Sequence, residues 1–153
     1  MQVADPLTLY RQPENIFVAG FIGSPPMNLL KGKVQKLDGG LSICRGCPDG
    51  CTDCSLARQA RDLWRRSMLD KPIIFGIRPE HLSDQVSDPA HVPVTASVID
   101  IAEPMGSESI VYLQGRDRQL DRAGSPANIV YHPGEQLTVQ LNMEKVHLFD
   151  SPN

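Results

Sequence analysis

The sequence predicts a mainly β protein, a small barrel or sandwich, and three observations carry that prediction. Short β-branched and aromatic runs recur along the chain, and Gly- and Pro-containing breakers separate them. Hydrophobic residues make up 41% of the 153 residues and charged ones 22%, the proportions of a globular chain. That length suits one ordinary domain, or two very small ones sharing a core. A closed sheet without free edges is the favoured solution at this size.

Asp5-Pro6 starts the first element: Asp caps the free amides of a helix and Pro suits its first position. Leu7, Leu9 and Tyr10 then form an apolar side before Pro13 ends the run. A second apolar stretch, residues 16–22, stops at Gly23-Ser24-Pro25-Pro26, a strong breaker cluster. Both pieces carry much apolar surface for their length, which predicts that they pack on something N-terminal to them. The chain accordingly divides into residues 1–26 and residues 27–153.

From Met27 the texture is that of strands. Residues 30–37 alternate loosely and lead into Asp38-Gly39-Gly40, a turn. Residues 73–77 form a β-branched and aromatic run after Pro72. Residues 92–101 alternate, with Val94, Ala96 and Val98 expected on one face and Thr95 and Ser97 on the other. Further strands are expected at 110–113, after Met105-Gly106-Ser107, and at 129–131, 136–141 and 146–149. The exception is residues 55–69, where Leu56, Ala60, Leu63 and Trp64 recur at helical spacing with Asp53 or Ser55 as cap. Arg58, Arg61, Arg65 and Arg66 of this amphipathic helix read as a solvated face over the buried stripe rather than as an anion site.

Composition narrows the function. A net charge of -3 and few aromatics (5%) argue against a nucleic-acid partner, which needs a basic stripe or a stacking platform. No apolar run approaches the roughly 18 residues that cross a bilayer. The start Met1-Gln2-Val3-Ala4-Asp5 lacks the basic and apolar regions of a secretory signal, so a cytoplasmic location is expected.

All four cysteines fall in one segment, Cys44, Cys47, Cys51 and Cys54, spaced C-x2-C-x3-C-x2-C. In a cytosolic chain such clustering reads as metal or redox chemistry before structural disulfides. Four thiolates suit tetrahedral zinc or, less favoured, an iron–sulfur cluster. The three-residue middle spacing is short for a zinc ribbon, whose knuckles come from separate loops, so unmetallated thiols or disulfides stand beside both metal readings. A thiolate at a helix start also gains nucleophilic character, which adds a redox switch to the alternatives. His81, His91, His132 and His147 show no paired ligand spacing and read as structural or surface histidines.

Two further segments carry a family pattern. The first runs Asp5-Pro6-Leu7-Thr8-Leu9-Tyr10-Arg11-Gln12-Pro13-Glu14-Asn15, then Phe17-Val18-Ala19-Gly20-Phe21-Ile22-Gly23-Ser24-Pro25 and Met27-Asn28. It is similar to the linker after the ATPase domain in ATP-binding subunits of carbohydrate- and glycerol-phosphate-type bacterial ABC importers. The second, Gly76-Ile77-Arg78-Pro79-Glu80-His81-Leu82, resembles the hallmark of the same family's transport-associated, oligonucleotide-binding-like (TOBE) module. Val98-Ile99-Asp100 through Gly106-Ser107-Glu108-Ser109, with Val111-Tyr112, resembles that module's strand–turn–strand, with Met105 and Ser107 as departures. Val146-His147-Leu148-Phe149-Asp150 resembles its closing strand.

The resemblance implies an oligonucleotide-binding-like (TOBE) barrel with one amphipathic helix and short N-terminal helices. It implies linker helices over residues 1–26 and a regulatory module over 27–153 that carries the Cys-rich loop 44–54. It also implies a homodimer that works beside an ABC nucleotide-binding domain and, through it, membrane-spanning permease subunits at the inner face of the cell membrane. The sequence holds no G-x-x-x-x-G-K-[ST] phosphate loop, and Gly32-Lys33 lacks the glycines and hydroxyl that would cradle phosphates. ATP therefore belongs to a domain outside these residues, and the chain reads as a non-catalytic piece of a longer subunit, a natural standalone module being the alternative. In the hallmark, Pro79 ends ladder pairing, and Arg78 and Glu80 pair with each other or with nearby carbonyls to fix the strand's exit. Gly76, Arg78, Pro79, Glu80 and His81 are the candidate structural or interface residues. The competing reading is a ligand-, metal- or redox-sensing module that uses Cys44, Cys47, Cys51 and Cys54.

Overall fold

The computed structural model describes residues 5–37, 40–44, 54–55, 71–84, 91–114, 119–126 and 129–150. Two short helices come first. Helix α1, Pro6–Arg11, is capped by Asp5, whose carboxylate accepts from the amides of Leu7 and Thr8. Helix α2, Ile16–Phe21, is capped by the Asn15 side chain, which accepts from the Val18 amide. Neither is long enough to persist alone, since isolated helices shorter than about 12 residues are marginal in water.

Among the described residues ten strands follow, in two antiparallel five-stranded sheets. They are β1 (Asn28–Leu37), β2 (Gly40–Cys44), β3 (Cys54–Ser55), β4 (Pro72–Ile77), β5 (Leu82–Ser83), β6 (His91–Pro104), β7 (Glu108–Gln114), β8 (Gln119–Pro126), β9 (Gln136–Asn142) and β10 (His147–Asp150). The first sheet has the order β10-β4-β1-β2-β3 and the second β5-β9-β6-β7-β8. The chain passes from one to the other at a single 3-10 turn, Pro79–His81, between β4 and β5. It returns at its end, where β10 pairs with β4 in the register Leu148↔Phe75.

The core lies between the sheets. Leu30, Ile73, Phe75 and Ile77 of the first sheet meet Leu82, Ile99, Val111, Leu113, Val139 and Leu141 of the second. Strand β4 is buried on both faces, which explains its unbroken apolar run. Ile73, Phe75 and Ile77 point into this core, while Ile74 joins Ala19 of α2, Met27 and Phe149 in a smaller cluster. Side-chain alternation sends successive residues of the strand to opposite faces, and each face has its own cover.

Three expectations need correction, and one strand joins those expected. Residues 129–131 are not a strand: Val130 is exposed, and Tyr131 turns its hydroxyl to Asp84 and Ser125, each at 3.0 Å. The strand in that region is β8, whose polar sequence Gln-Leu-Asp-Arg-Ala-Gly-Ser-Pro gave no alternation, but which pairs with β7 along its length. In β6, Val98 is 38% exposed and Ile99 is the buried residue, because bulges shift the register between Ile99 and Ile101 and between Val94 and Ser97. Ser55 is paired with Ser42 in a strand rather than starting a helix. The remainder of that expected helix, residues 56–69, lies outside the described residues.

Candidate functional site

The hallmark residues meet where the two sheets join. Ile77 ends β4, and Arg78 takes the extended conformation that a residue before proline prefers. Pro79 then occupies the first position of the 3-10 turn, where its missing amide costs nothing. The turn closes with the His81 amide donating to the Arg78 carbonyl at 3.0 Å, and Leu82 enters β5.

Arg78 is only 2% exposed, unusual for a guanidinium, whose burial demands partners. Those partners come from the N-terminal helices. Its Nη1 donates to the Ile22 carbonyl at 2.8 Å, its Nη2 donates to the Tyr10 carbonyl, and its Cζ lies 3.5 Å from the centroid of the Tyr10 ring. One planar group thus satisfies two carbonyls at helix C-termini and covers an aromatic face, a combination that suits Arg and not Lys. The Tyr10 hydroxyl donates to Glu80 Oε1, so the two charged hallmark residues hold the same tyrosine from opposite ends.

Two glycines allow this approach. Gly23 has φ 129°, and a Cβ there would stand 3.0 Å from Arg78 Nη1 and 3.1 Å from the Pro25 carbonyl oxygen. At Gly76 the obstacle is packing: a Cβ would lie 2.6 Å from Met27 Sδ and 2.9 Å from Phe149 Cε2.

Electrostatics follow the burial. Desolvation, then the hydrogen bond and charge of Glu80, push the Tyr10 phenol up to about 12, while Arg78 opposes that rise. His81 is held below its usual value first by burial, with Lys145 and Arg78 adding to the effect and Glu80 opposing it. His147, which pairs with Gly76 across the β10–β4 ladder, is lowered by burial and then by Arg78 and His81. His81 Nδ1 is sealed from solvent without a hydrogen-bond partner among the described residues. This unbonded, desolvated nitrogen accords with an imidazole that stays neutral beside two cations.

Structure therefore brings Gly76, Arg78, Pro79, Glu80 and His81 together, and adds Tyr10, Ile22 and Gly23, which the sequence reading placed only in the linker. Tyr10 had read as part of an apolar helix side; its partner lies 68 residues away, beyond any local pattern. The cysteines stand apart from this junction in the chain. Cys44 ends β2 and Cys54 begins β3 opposite Ile43, and Cys47 and Cys51 lie outside the described residues. Among the described residues no group of three or more His, Cys, Asp or Glu side chains could hold a metal ion, and no helix is long and apolar enough to cross a membrane.

Two antiparallel sheets joined at such a crossover define a module of the oligonucleotide-binding (OB) and TOBE type. Residues 23–82 match the family model of the MalK OB fold domain and residues 75–149 that of the TOBE domain. The chain belongs to this OB/TOBE family, which is carried by ABC transporter ATP-binding proteins. It is 37% identical over 156 residues to the oligosaccharides import ATP-binding protein MsmX of Bacillus subtilis, covering 98% of this chain and 40% of the relative. It is 36% identical over 153 residues to the multiple sugar-binding transport ATP-binding protein MsmK of Streptococcus mutans, covering 98% of this chain and 38% of the relative. To the ABC transporter ATP-binding protein YcjV of Escherichia coli it is 36% identical over 151 residues, with 98% and 39% covered. The chain thus spans about two fifths of the length of these relatives, and the region matched by family models is the OB/TOBE region rather than an ATPase domain. Among solved structures, the cytoplasmic molybdate-binding protein ModG shares the fold, with a TM-score of 0.56 at 15% identity over 81% of this chain and 96% of that one.

Proposed function

We propose that this chain is the non-catalytic regulatory and dimer-forming module of the ATP-binding subunit of an ABC importer, taking up sugars or related solutes. The observation that carries the reading is alignment along 98% of the chain with ATP-binding proteins named for oligosaccharide and multiple-sugar transport. In this reading residues 1–26 are the linker from the ATP-hydrolysing domain and residues 27–153 are the module. The exposed apolar residues of the two helices, Leu7, Phe17 and Phe21, support this division. The two phenylalanines are 78% and 73% exposed and stack on each other at 5.9 Å, an apolar surface suited to packing against a neighbouring domain.

Two copies then pair isologously and bias how closely two ATP-hydrolysing domains approach, a coupling that acts on transport rather than on the chemistry of hydrolysis. Membrane-spanning permease subunits are the partners of that assembly, which works at the cytoplasmic face of the membrane. Gly76, Arg78, Pro79, Glu80 and His81 hold the module's crossover in shape for this task.

A chimaera tests the proposal. This chain replaces the corresponding region of MsmX, and the resulting full-length subunit is introduced into cells that lack their own. Oligosaccharide uptake well above that of the truncated subunit is expected, with ATP hydrolysis and a dimer in solution. A soluble chimaera that hydrolyses ATP yet gives uptake no higher than the truncated subunit would overturn the reading.

A further inference from the structure

We propose that Arg78, with Tyr10 and Glu80, is a latch that holds helices α1 and α2 on the sheets and can open while both sheets stay folded. The proposal concerns the chain itself and does not depend on the importer reading. It starts from how little else holds α1. That helix has six residues, none of them buried, and Leu7 on it faces outward. Apolar burial of α1 is partial, with Leu9 and Tyr10 half-buried. Tyr10 ties α1 to the β4–β5 turn, through a carbonyl and a ring against Arg78 and a hydroxyl on Glu80, while α1 also touches α2.

Helix α2 has an apolar anchor of its own, because Ala19 is buried with Met27, Ile74 and Phe149. Its C-terminal end is nevertheless tied to the same guanidinium through the Ile22 carbonyl. One side chain thus closes the ends of both helices. The other side of the latch is rigid: Arg78 sits between Ile77, fully buried in the inter-sheet core, and the 3-10 turn that leads into β5.

The chemistry favours a reversible closure over permanent glue. When the helices lift, the polar groups exposed are a guanidinium, two carbonyls, a phenol and a carboxylate, all of which water solvates well. The apolar surface uncovered is the small cluster of Ala19 with Met27, Ile74 and Phe149. The sheets meanwhile keep their own apolar contacts. None of the side chains of that inter-sheet core belongs to α1. The opening is therefore a local one, of the kind that amide exchange separates from global unfolding. Gly23 supplies an independent handle. A side chain there would press on Arg78 Nη1 and on the Pro25 carbonyl without removing any member of the latch.

Hydrogen–deuterium exchange on the intact chain and on Arg78→Lys, Tyr10→Phe and Gly23→Ala tests this. The reporters are the helical amides of Leu9, Gln12, Ala19 and Ile22 against the sheet amides of residues 108–114 and 136–142. Arg78→Lys keeps the charge but loses the fork, so exchange in residues 5–22 is expected to rise at least tenfold with the sheet amides unchanged. Tyr10→Phe removes only the bond to Glu80 and is expected to give a smaller rise, about threefold, again confined to residues 5–22. Should Arg78→Lys fail to fold, Tyr10→Phe and Gly23→Ala decide the matter, because neither alters a group within the sheets. Unchanged exchange in residues 5–22, or an equal rise in helices and sheets in these variants, would overturn the latch.

Discussion

Tyr10 shows how one residue's titration reports a contact between distant segments. Its phenol is raised to about 12, first by desolvation and then by the hydrogen bond to Glu80. Below pH 10 the folded and unfolded chains both keep the proton, so the contribution of this bond is fully present. Between pH 10 and about 12 the unfolded chain releases the proton while the folded one retains it, and stability falls as pH rises through that window. Urea midpoints measured at pH 9, 10 and 11 are expected to drop less steeply for Tyr10→Phe than for the native chain. Comparing the two cancels the lysines, which titrate in the same range. Identical slopes would mean that the folded chain does not hold the Tyr10 phenol above its ordinary value. Tyr10 was legible as a helix residue because its neighbours Asp5 and Pro6 are local signals. Its role at Arg78 was not, because nothing nearby in sequence marks a partner 68 residues away.

At the scale of elements, what the sequence revealed and what it hid have the same cause. Strands β4, β7 and β9 carry compact apolar runs paired in ladders, and their positions could be read from those runs alone even though bulges in β6 shift the register of the last two. Strand β8 could not: Asp121, Arg122, Gly124 and Pro126 contradict strand propensity, and pairing with β7 overrides them. The Ile129-Val130-Tyr131 run errs in the other direction, with good propensity and no ladder among the described residues. Strand β10 brings a second titration. His147, paired with Gly76, and His81 on the adjoining turn are both held below the ordinary histidine value, chiefly by burial, with the Arg78 charge acting on each. Lys145 acts on His81 in the same direction, and only Glu80 opposes it. The unfolded chain takes up protons below about pH 6.5 that the folded one resists, so stability is fully present above that pH and is lost as pH falls through the lowered values. Thermal midpoints are expected to decline from pH 7 to pH 5, and the decline to shrink in His147→Gln. A variant that declines as steeply as the native chain would remove His147 as a source of the decline.

For the whole molecule, the two family models invite a division that the packing refuses. Residues 23–82 and 75–149 are matched separately, yet they overlap on residues 75–82, which are the end of β4, the Arg78 turn and the start of β5. The closing strand β10 falls, but for Asp150, in the second match and pairs with β4, a strand wholly within the first. The principal core likewise draws Leu30, Ile73, Phe75 and Ile77 from one sheet and Val111, Leu113 and Val139 from the other. Neither sheet keeps a buried inner face without its partner, so the sheets should unfold together, as single cores of this size usually do. Calorimetry is expected to give one transition with equal van't Hoff and calorimetric enthalpies. Leu113→Ala, which empties a fully buried site on β7, is expected to cost about 2–5 kcal/mol and to lower that one transition without splitting it. Exchange at β1 and β4 amides offers the sharper reading, because those strands lie in the opposite sheet. If they lose protection with β7, the two matched regions form one cooperative body. If they keep it while β7 opens, the regions are separate folding units that merely touch at the Arg78 turn.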